Sequence, residues 1–576
     1  MMKKTLKALL LTFCILSYCW TLLSQNNSEP NRYDIVISEI MAKPTPEIGL
    51  PAVEYIELHN RLPHPCLLHK WRLTLGNTSK NLPDITLDSC GYAVIIAQKN
   101  LETFSPFCDN IYTLSSLAIT DGGQKVTLYN QDGEVIHYVN FKPSWHTESI
   151  KQEGGWSLEI IDEGWPCAGS WNWNSSTDPL GGTPGRPNSI RNILYDNEKP
   201  IISGVTLQDS VTLRVHFSKT LSHTVLDQDG LFSVSPILNV VSVREVPPEF
   251  NALDIQFEAA LQSETDYRLH LAGELSDCGG NLYPVDQEIP FGVARPPQQN
   301  DLVINEILTN SIGDETADYI EIYNRSGHII DLKEVKIGYG GDTLPEKAVC
   351  AASKGWQLQP KTYAALCNRP DITREQYICK DESRLLECDS LPDFAIGKGI
   401  IHLTDRSLRP IDRLSYTEEM HYSKLLTTKG VALERLYADR PTQDENNWRS
   451  AAEDAGFGTP GYENSQSGTA WETNEFEVVP EVFSPDNDGF EDYTEMVCSF
   501  NDEENRVNIV VYNNRGHPVK HLANNVLCGK EAIFRWDGDD DNRQSAPAGM
   551  YVVQIECWNL RSQKTLRKRK VVSIYR

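Results

Sequence analysis

An internal duplication constrains this chain more than any other feature. Ser38-Glu39-Ile40-Met41 is followed by Glu54-Tyr55-Ile56-Glu57-Leu58-His59-Asn60-Arg61. Asn305-Glu306-Ile307-Leu308 is followed in the same way by Asp318-Tyr319-Ile320-Glu321-Ile322-Tyr323-Asn324-Arg325. The closing segments match too, at a spacing of about 275 residues: Ser157-Leu158-Glu159 with Ala432-Leu433-Glu434, Trp173 with Trp448, and Gly182-Thr183-Pro184-Gly185 with Gly458-Thr459-Pro460-Gly461. Asn188-Ser189 and Asn464-Ser465 complete the series. Conserved order and spacing over about 155 residues mean a duplicated folding unit.

Within each copy the pattern is that of strands. Tyr55, Glu57 and His59 fall on one face and Ile56, Leu58 and Asn60 on the other, the period-2 signature of β structure. Val126 and Leu128, then Tyr129-Asn130-Gln131-Asp132-Gly133, then Val135 and His137 predict a hairpin. No long stretch carries helical periodicity. The fold class is therefore all-β, built as tandem β-sandwich domains. At 576 residues the chain is too long for one core and is expected to divide.

These motifs resemble the lamin-tail domain: an acidic N/S-E-I start, an E-Y-I-E-L-x-N strand and a closing S-L-E...W...T-P-G-x-x-N segment. The resemblance covers residues 34–190 and 300–465. It implies an Ig-like sandwich of the kind found in exported bacterial, Bacteroidetes-like proteins, with no catalytic role attached to the fold itself.

Residues 197–295 form a further unit. Val211, Leu213, Val215 and Phe217 alternate, as do Leu253, Ile255 and Phe257, and Tyr267, Leu269 and Leu271. With Phe217-Ser218-Lys219 and Asp277-Cys278-Gly279-Gly280-Asn281 this unit resembles bacterial Ig-like domains of surface-layer proteins. Arg295-Pro296-Pro297 leads into the second copy as a linker. Residues 476–576 carry Phe483-Ser484-Pro485-Asp486, Val507/Ile509/Val511 before Gly516, Trp536-Asp537-Gly538 and Ala548-Gly549-Met550-Tyr551-Val552. That order resembles the flagellar-hook-capping type of Ig-like domain and the gliding-motility-associated C-terminal domains. In those relatives it implies type IX sorting and attachment to the outer-membrane surface.

The N-terminus sets the compartment. Lys3, Lys4 and Lys7 precede an apolar run from Ala8 to Trp20, ending near Ser24. This is the pattern of a cleaved signal peptide, residues 1–24, because the run falls short of the ~20 residues of a membrane-spanning helix. No later segment is apolar enough to span. The protein is expected to be secreted or on the cell surface at the outer-membrane exterior, with the periplasm as the alternative. Removing Cys14 and Cys19 leaves twelve of 14 cysteines, in clusters of four, one, four and three. No C-x-x-C occurs, so disulfide staples within domains are expected.

Lys plus Arg number 53 against 80 Asp plus Glu, a net charge of −27, which excludes a general nucleic-acid binder. The charge is uneven: residues 471–505 hold twelve acidic groups and residues 559–576 hold seven basic ones. If the first and last strands of this unit are neighbours, the two stretches partly neutralise each other.

Candidate chemistry is sparse. Asp486, Asp488, Glu491 and Asp492 surround Gly489 and offer oxygen ligands to Ca²⁺, or close an Asx-type turn. An EF-hand beginning at Asp486 would need Glu where Val497 stands. Asp537, Asp539, Asp540 and Asp541 form a second acidic turn. Glu39 with Glu57, and Glu306 with Glu321, invite an acid/base reading, yet their presence in both copies suits a folding role in bonding loop amides. His64 and His69 near Cys66 have ligand chemistry with no counterpart in the second copy. Trp156, Trp165, Trp171 and Trp173 crowd the end of the first copy, and Trp165 and Trp171 are candidate ligand contacts through aromatic stacking on sugars. No G-x-S-x-G, H-E-x-x-H or Walker motif occurs. The chain thus reads as a non-catalytic surface scaffold or adhesion protein for a protein or glycan ligand. The alternatives are a carbohydrate-binding accessory and a cryptic hydrolase.

Overall fold

The computed structural model describes residues 30–576 except 197, 229, 314–316, 389, 423–424, 468–475, 501–504, 530 and 560–564. The signal segment 1–24, and parts of both charged stretches, lie outside the described residues. Nearly all regular structure is β, in face-to-face sheets.

The first copy pairs a six-stranded sheet with a four-stranded one. The larger runs, edge to edge, Trp173–Ser175, Leu158–Ile160, Ile35–Met41, Tyr55–Asn60, Tyr92–Ala97 and Ile111–Leu114. The smaller runs Val135–Phe141, Gln124–Tyr129, Arg72–Leu75 and Thr78–Asn81. The predicted hairpin joins its first two strands, closed by Asn130 and Gly133. Ile56, Leu58, Trp71, Val126 and Leu128 pack between the sheets. In the second copy the order repeats strand for strand: Trp448–Ser450, Leu433–Arg435, Leu302–Leu308, Tyr319–Asn324, Tyr363–Cys367 and Leu385–Glu387. Its partner sheet is Pro410–Thr417, Lys398–Asp405, Val335–Tyr339 and Lys347–Cys350.

Period-2 alternation here does not separate a wet face from a dry one. All six residues of Tyr55–Asn60 are buried, because the chain after Gly181 folds over the outer face that Tyr55 and Glu57 present. Both copies share a β-bulge in the first strand, between Ile37 and Glu39 and between Ile304 and Glu306. The extra residue, Ser38 or Asn305, re-aims its polar side chain into the interior to donate to Glu57 or Glu321, each at 2.7 Å.

Between the copies, a four-stranded sheet (Ile202–Leu207, Thr212–Phe217, Ala252–Phe257, Val240–Glu245) faces a three-stranded one (Phe232–Ser235, Tyr267–Ser276, Leu282–Phe291). In the last unit Phe476–Val479, Thr494–Ser499 and Glu531–Trp536 face Val482–Phe483, Thr565–Ile574, Gly549–Asn559, Asn505–Asn513 and Pro518–Cys528. An early strand does lie beside the final one, Val482 opposite Ser573. Within the basic run, Arg567 pairs with Glu556 at 2.8 Å and Arg569 donates to Gln554, both on the adjacent hairpin strand.

Cysteine pairing also departs from expectation. Cys167 and Cys278 form a disulfide between the first copy and the middle unit, across 111 residues. It is a strap between units, and spacing within a cluster could not reveal it. Cys498 and Cys557, by contrast, are buried thiols in the core of the last unit.

Candidate functional site

Three chemical clusters stand out, and the first is duplicated. Antiparallel registry places Glu39 directly opposite both Glu57 and Glu159, so three carboxylates lie abreast on one face, all fully buried. Burying a carboxylate is unfavourable unless donors surround it, and here the Thr-Pro-Gly segment supplies them. Thr183 N donates to Glu39 Oε1 at 2.8 Å, Gly185 N to Glu57 Oε2 at 2.6 Å and Thr183 Oγ1 to Glu159 Oε1 at 3.0 Å. Tyr55 Oη donates to Glu39 at 2.6 Å. In the second copy Thr459 N reaches Glu306 at 2.9 Å, Gly461 N reaches Glu321 at 2.6 Å and Thr459 Oγ1 reaches Glu434 at 2.9 Å.

No ion pair joins any of these six carboxylates to a cation among the described residues. Burial, then the neighbouring carboxylate, pushes Glu39 up to about 7 and Glu306 up to about 8; the same causes raise Glu57 and Glu321 well above the carboxylate range. The trio is a latch for the closing segment, sealed from solvent, and its geometry suits folding rather than acid/base work on a substrate. The third member, Glu159 or Glu434, escapes a reading of local sequence because only long-range strand pairing sets it beside the other two.

The second cluster is aromatic. Trp173 is buried in the first core. Trp165, 9% exposed, lies against Gly279 of the middle unit, where a Cβ would stand 2.9 Å from the indole. Trp171 is 44% exposed and meets Trp165 edge to face at 5.6 Å. Lys151 rests over the ring of Trp156. Trp171 thus stands beside the disulfide, at the junction of a cavity of ≈ 360 Å³ and a cleft of ≈ 1320 Å³ shared by the first copy, the middle unit and the second copy.

The third cluster is the acidic turn. Asp486, Asp488 and Asp492 bring carboxylate oxygens within 4.8 Å of one another; the Glu491 side chain is outside that group. Asp492 is buried and already engaged, accepting from Asp488 N at 3.1 Å, Gly489 N at 2.9 Å and Gln466 Nε2 at 3.1 Å. Asp488 accepts from Phe490 N at 2.8 Å. These are the bonds of Asx-type turns. The second acidic turn is spent on partners: Asp537 pairs with Arg449, Asp539 with Lys520 at 2.6 Å and Asp541 with His521 at 2.7 Å. His64 sits in an exposed loop and His69 pairs with Asp84 at 2.9 Å, so the two imidazoles form no shared ligand set.

Sequence reasoning missed the docking contacts between units. Thr206 Oγ1 donates to Asp331 at 2.6 Å and Trp356 Nε1 to Ser203 O at 2.7 Å. Trp356 approaches so closely that a Cβ on Gly204 would lie 2.0 Å from it. The last unit docks on the second copy through Arg449 with Asp537, Tyr437 with Glu495, Arg535 to Trp448 O at 2.7 Å and Tyr422 to Pro485 O at 2.7 Å.

Comparison with known proteins identifies two of these regions. Residues 28–143 match the Lamin Tail Domain family and residues 477–574 match the CHU_C Type IX secretion signal domain. The chain is therefore an exported protein, secreted or at the cell surface, that carries a lamin tail domain and a type IX secretion signal among β-sandwich modules. No helix among the described residues is long and apolar enough to cross a membrane. No curated protein matches the chain. Among solved structures, domains 1–6 of the surface layer protein SbsC are 10% identical over 66% of this chain and 54% of that one, with a TM-score of 0.16. A DUF4876 family protein from Bacteroides thetaiotaomicron is 12% identical over 40% of this chain and 93% of that one, TM-score 0.20. PorZ of Porphyromonas gingivalis, a surface component of the type IX secretion system, is 11% identical over 79% and 56%, TM-score 0.14. The chain spans about half the length of the S-layer proteins it matches, and at these TM-scores the likenesses carry no weight for fold or function.

Proposed function

We propose that this protein is a non-catalytic surface scaffold whose sandwich units are held as one presenting body. Residues 34–190 and 300–465 are read as two lamin-tail domains, 197–295 as an Ig-like domain between them and 476–576 as the sorting and attachment module. The observation that carries the proposal is the interlocking of each junction. The disulfide and the Arg32–Glu245 pair at 2.9 Å join the first two units, and Thr206 with Asp331 joins the next two. Lys142 with Glu387 at 3.5 Å links the two lamin-tail copies directly. Flexible linkers would leave such modules to tumble independently, whereas side-chain bonds and a covalent strap fix their mutual orientation.

Two measurements test this reading. Protease added to intact cells should remove the protein, while a chain lacking residues 477–574 should stay protected inside. Small-angle scattering of the purified protein should fit one compact conformer and broaden in Cys167→Ser. Protection of the full chain in intact cells, or turnover of a polysaccharide or peptide by the purified protein, would overturn it.

A further inference from the structure

The exposed chemistry left unused by the folding latches is concentrated around Trp171. The ≈ 360 Å³ cavity beside it falls within the roughly 300–1,000 Å³ typical of small-ligand sites. It is lined by six aromatic side chains, Tyr33, Tyr138, Trp145, Trp165, Trp171 and Trp173. It opens past Trp171, Asp196 and Lys219 into the ≈ 1320 Å³ cleft that reaches the second lamin-tail copy.

Trp171 is half-exposed yet fixed. It sits in the short turn Gly169–Asn172, just after disulfide-bonded Cys167. Nearly buried Trp165 holds it edge to face, and Asn172 is pinned by bonds to Asp162 O and Trp165 O at 2.9 and 2.8 Å. A large aromatic face already immobilised at a cavity mouth loses little entropy on binding.

Several of the charges at these spaces are paired inside the protein, and the cleft is lined by as many acidic as basic side chains. Lys219 bonds Asp196, Lys354 bonds Glu249 at 3.0 Å and Arg374 bonds Glu382 at 2.7 Å. The site therefore offers aromatic faces and neutral polar groups, Asn251 among them, and Asp277, which also lines the cavity, is nearly buried and accepts from Asn281 and Tyr283. That combination fits the apolar C–H faces and hydroxyl edges of sugar rings. Length matters as well, because a small aromatic cavity continuous with a long cleft accommodates a chain rather than a single ring.

We propose that the junction of the first lamin-tail copy and the middle unit binds an uncharged oligosaccharide, with Trp171 as its stacking platform. The proposal deepens the surface-scaffold reading by naming the class of ligand presented to it, and rests on that reading only in that the glycan is held and not cleaved.

The test is calorimetric titration and tryptophan fluorescence of the full mature chain with cellohexaose, xylohexaose, mannohexaose, maltohexaose and chitohexaose. Hexagalacturonate serves as the anionic probe, and reducing ends are assayed in parallel. Saturable binding of at least one neutral hexaose is expected, weakened about tenfold or more in Trp171→Ala and partly retained in Trp171→Phe. The affinity should change by less than about twofold between about 50 and 500 mM NaCl, as expected where no charges are released. Asn251→Ala provides a second variant that leaves the aromatic packing intact and should also weaken binding.

Absence of saturable binding to all five neutral hexaoses would overturn the proposal. So would affinity unchanged in both Trp171→Ala and Asn251→Ala, or salt-dependent preference for hexagalacturonate. New reducing ends with binding intact would instead sink the non-catalytic reading and leave the site standing.

Discussion

The two copies of the repeated unit solve one structural problem in two ways. In each, the first-strand bulge leaves a backbone amide turned away from the sheet ladder, Ile37 N or Ile304 N. In the first copy His137 Nδ1 accepts it at 2.8 Å, and its other ring nitrogen lies 3.1 Å from Pro166 O. In the second, Asp412 Oδ2 accepts it, also at 2.8 Å, with Arg435 as the buried counter-charge at 3.5 Å. The position of Arg435 is held in the first copy by Ile160, whose strand pairs in the same register. A neutral imidazole and an ion pair thus perform the same local task, and charge at one site forces a partner at another. The loops that follow are equally matched. Asn172 and Asn447 bind the same two backbone positions, Asp162 and Tyr437. One loop then carries a disulfide and tryptophans to the middle unit, and the other carries Tyr437 to Glu495 of the secretion-signal domain.

The largest expected effect separates these two junctions. Cys167→Ser removes a cross-link spanning 111 residues, worth about 4–5 kcal/mol by chain-entropy reasoning. Segment-resolved hydrogen exchange should show faster opening in the first copy and middle unit, and no change where the second copy meets the last unit. Next comes the ion pair. Arg435→Ile strands Asp412 in the core and should destabilise the second copy by about 3–5 kcal/mol. Arg435→Ile combined with Asp412→His transplants the first copy's arrangement and should recover most of that loss in urea unfolding. Failure to recover would mean that the two solutions are not interchangeable.

The carboxylate latches predict a common alkaline weakness. A carboxyl whose pKa is higher folded than unfolded holds its proton more tightly in the folded chain. Its stabilising contribution is complete below about 4.5 and is lost as pH rises through about 7 for Glu39 and about 8 for Glu306. Glu306→Gln should flatten that decline in the second copy alone.

At acid pH the copies should diverge. Burial lowers His137 from 6.5 to about 4, so the first copy loses stability as pH falls from about 6.5 toward 4. His146 and His421, each against a serine hydroxyl and each lowered to about 4 by burial, give both copies a shared acid limb. His59, also lowered to about 4 by burial, adds to the first copy's limb, so His137→Asn should make that limb shallower without bringing it down to the second copy's, measured as melting temperature against pH. The smallest effect is expected at the acidic turn. Because Asp492 is already saturated by amide donors, millimolar Ca²⁺ should leave the melting temperature unmoved, whereas Asp492→Ala should lower the stability by about 1–3 kcal/mol.

Much of the fold was legible in local sequence, since alternation in Tyr55–Asn60 and the Tyr129–Gly133 turn state strand and hairpin through backbone geometry alone. The duplication made the shared topology readable, because two solutions to one fold keep the same Glu, Tyr, Thr-Pro-Gly and Asn in the same order. Function was less legible. Trp171 could be singled out as an aromatic, but its half-exposed, immobilised state depends on Trp165, Gly279 and a disulfide partner 111 residues away.

The sequence by itself determined that this is an exported, all-β, internally repeated chain, because signal-segment hydropathy, period-2 patterning and motif order are properties of neighbouring residues. Tertiary structure alone decided that three glutamates stand abreast, that Cys167 meets Cys278, and that Asp537 of the second acidic turn pairs with Arg449 of a neighbouring unit. Each depends on which strands and modules come together, and the free energies of burial, desolvation and pairing that fix those choices belong to contacts between residues far apart in the chain.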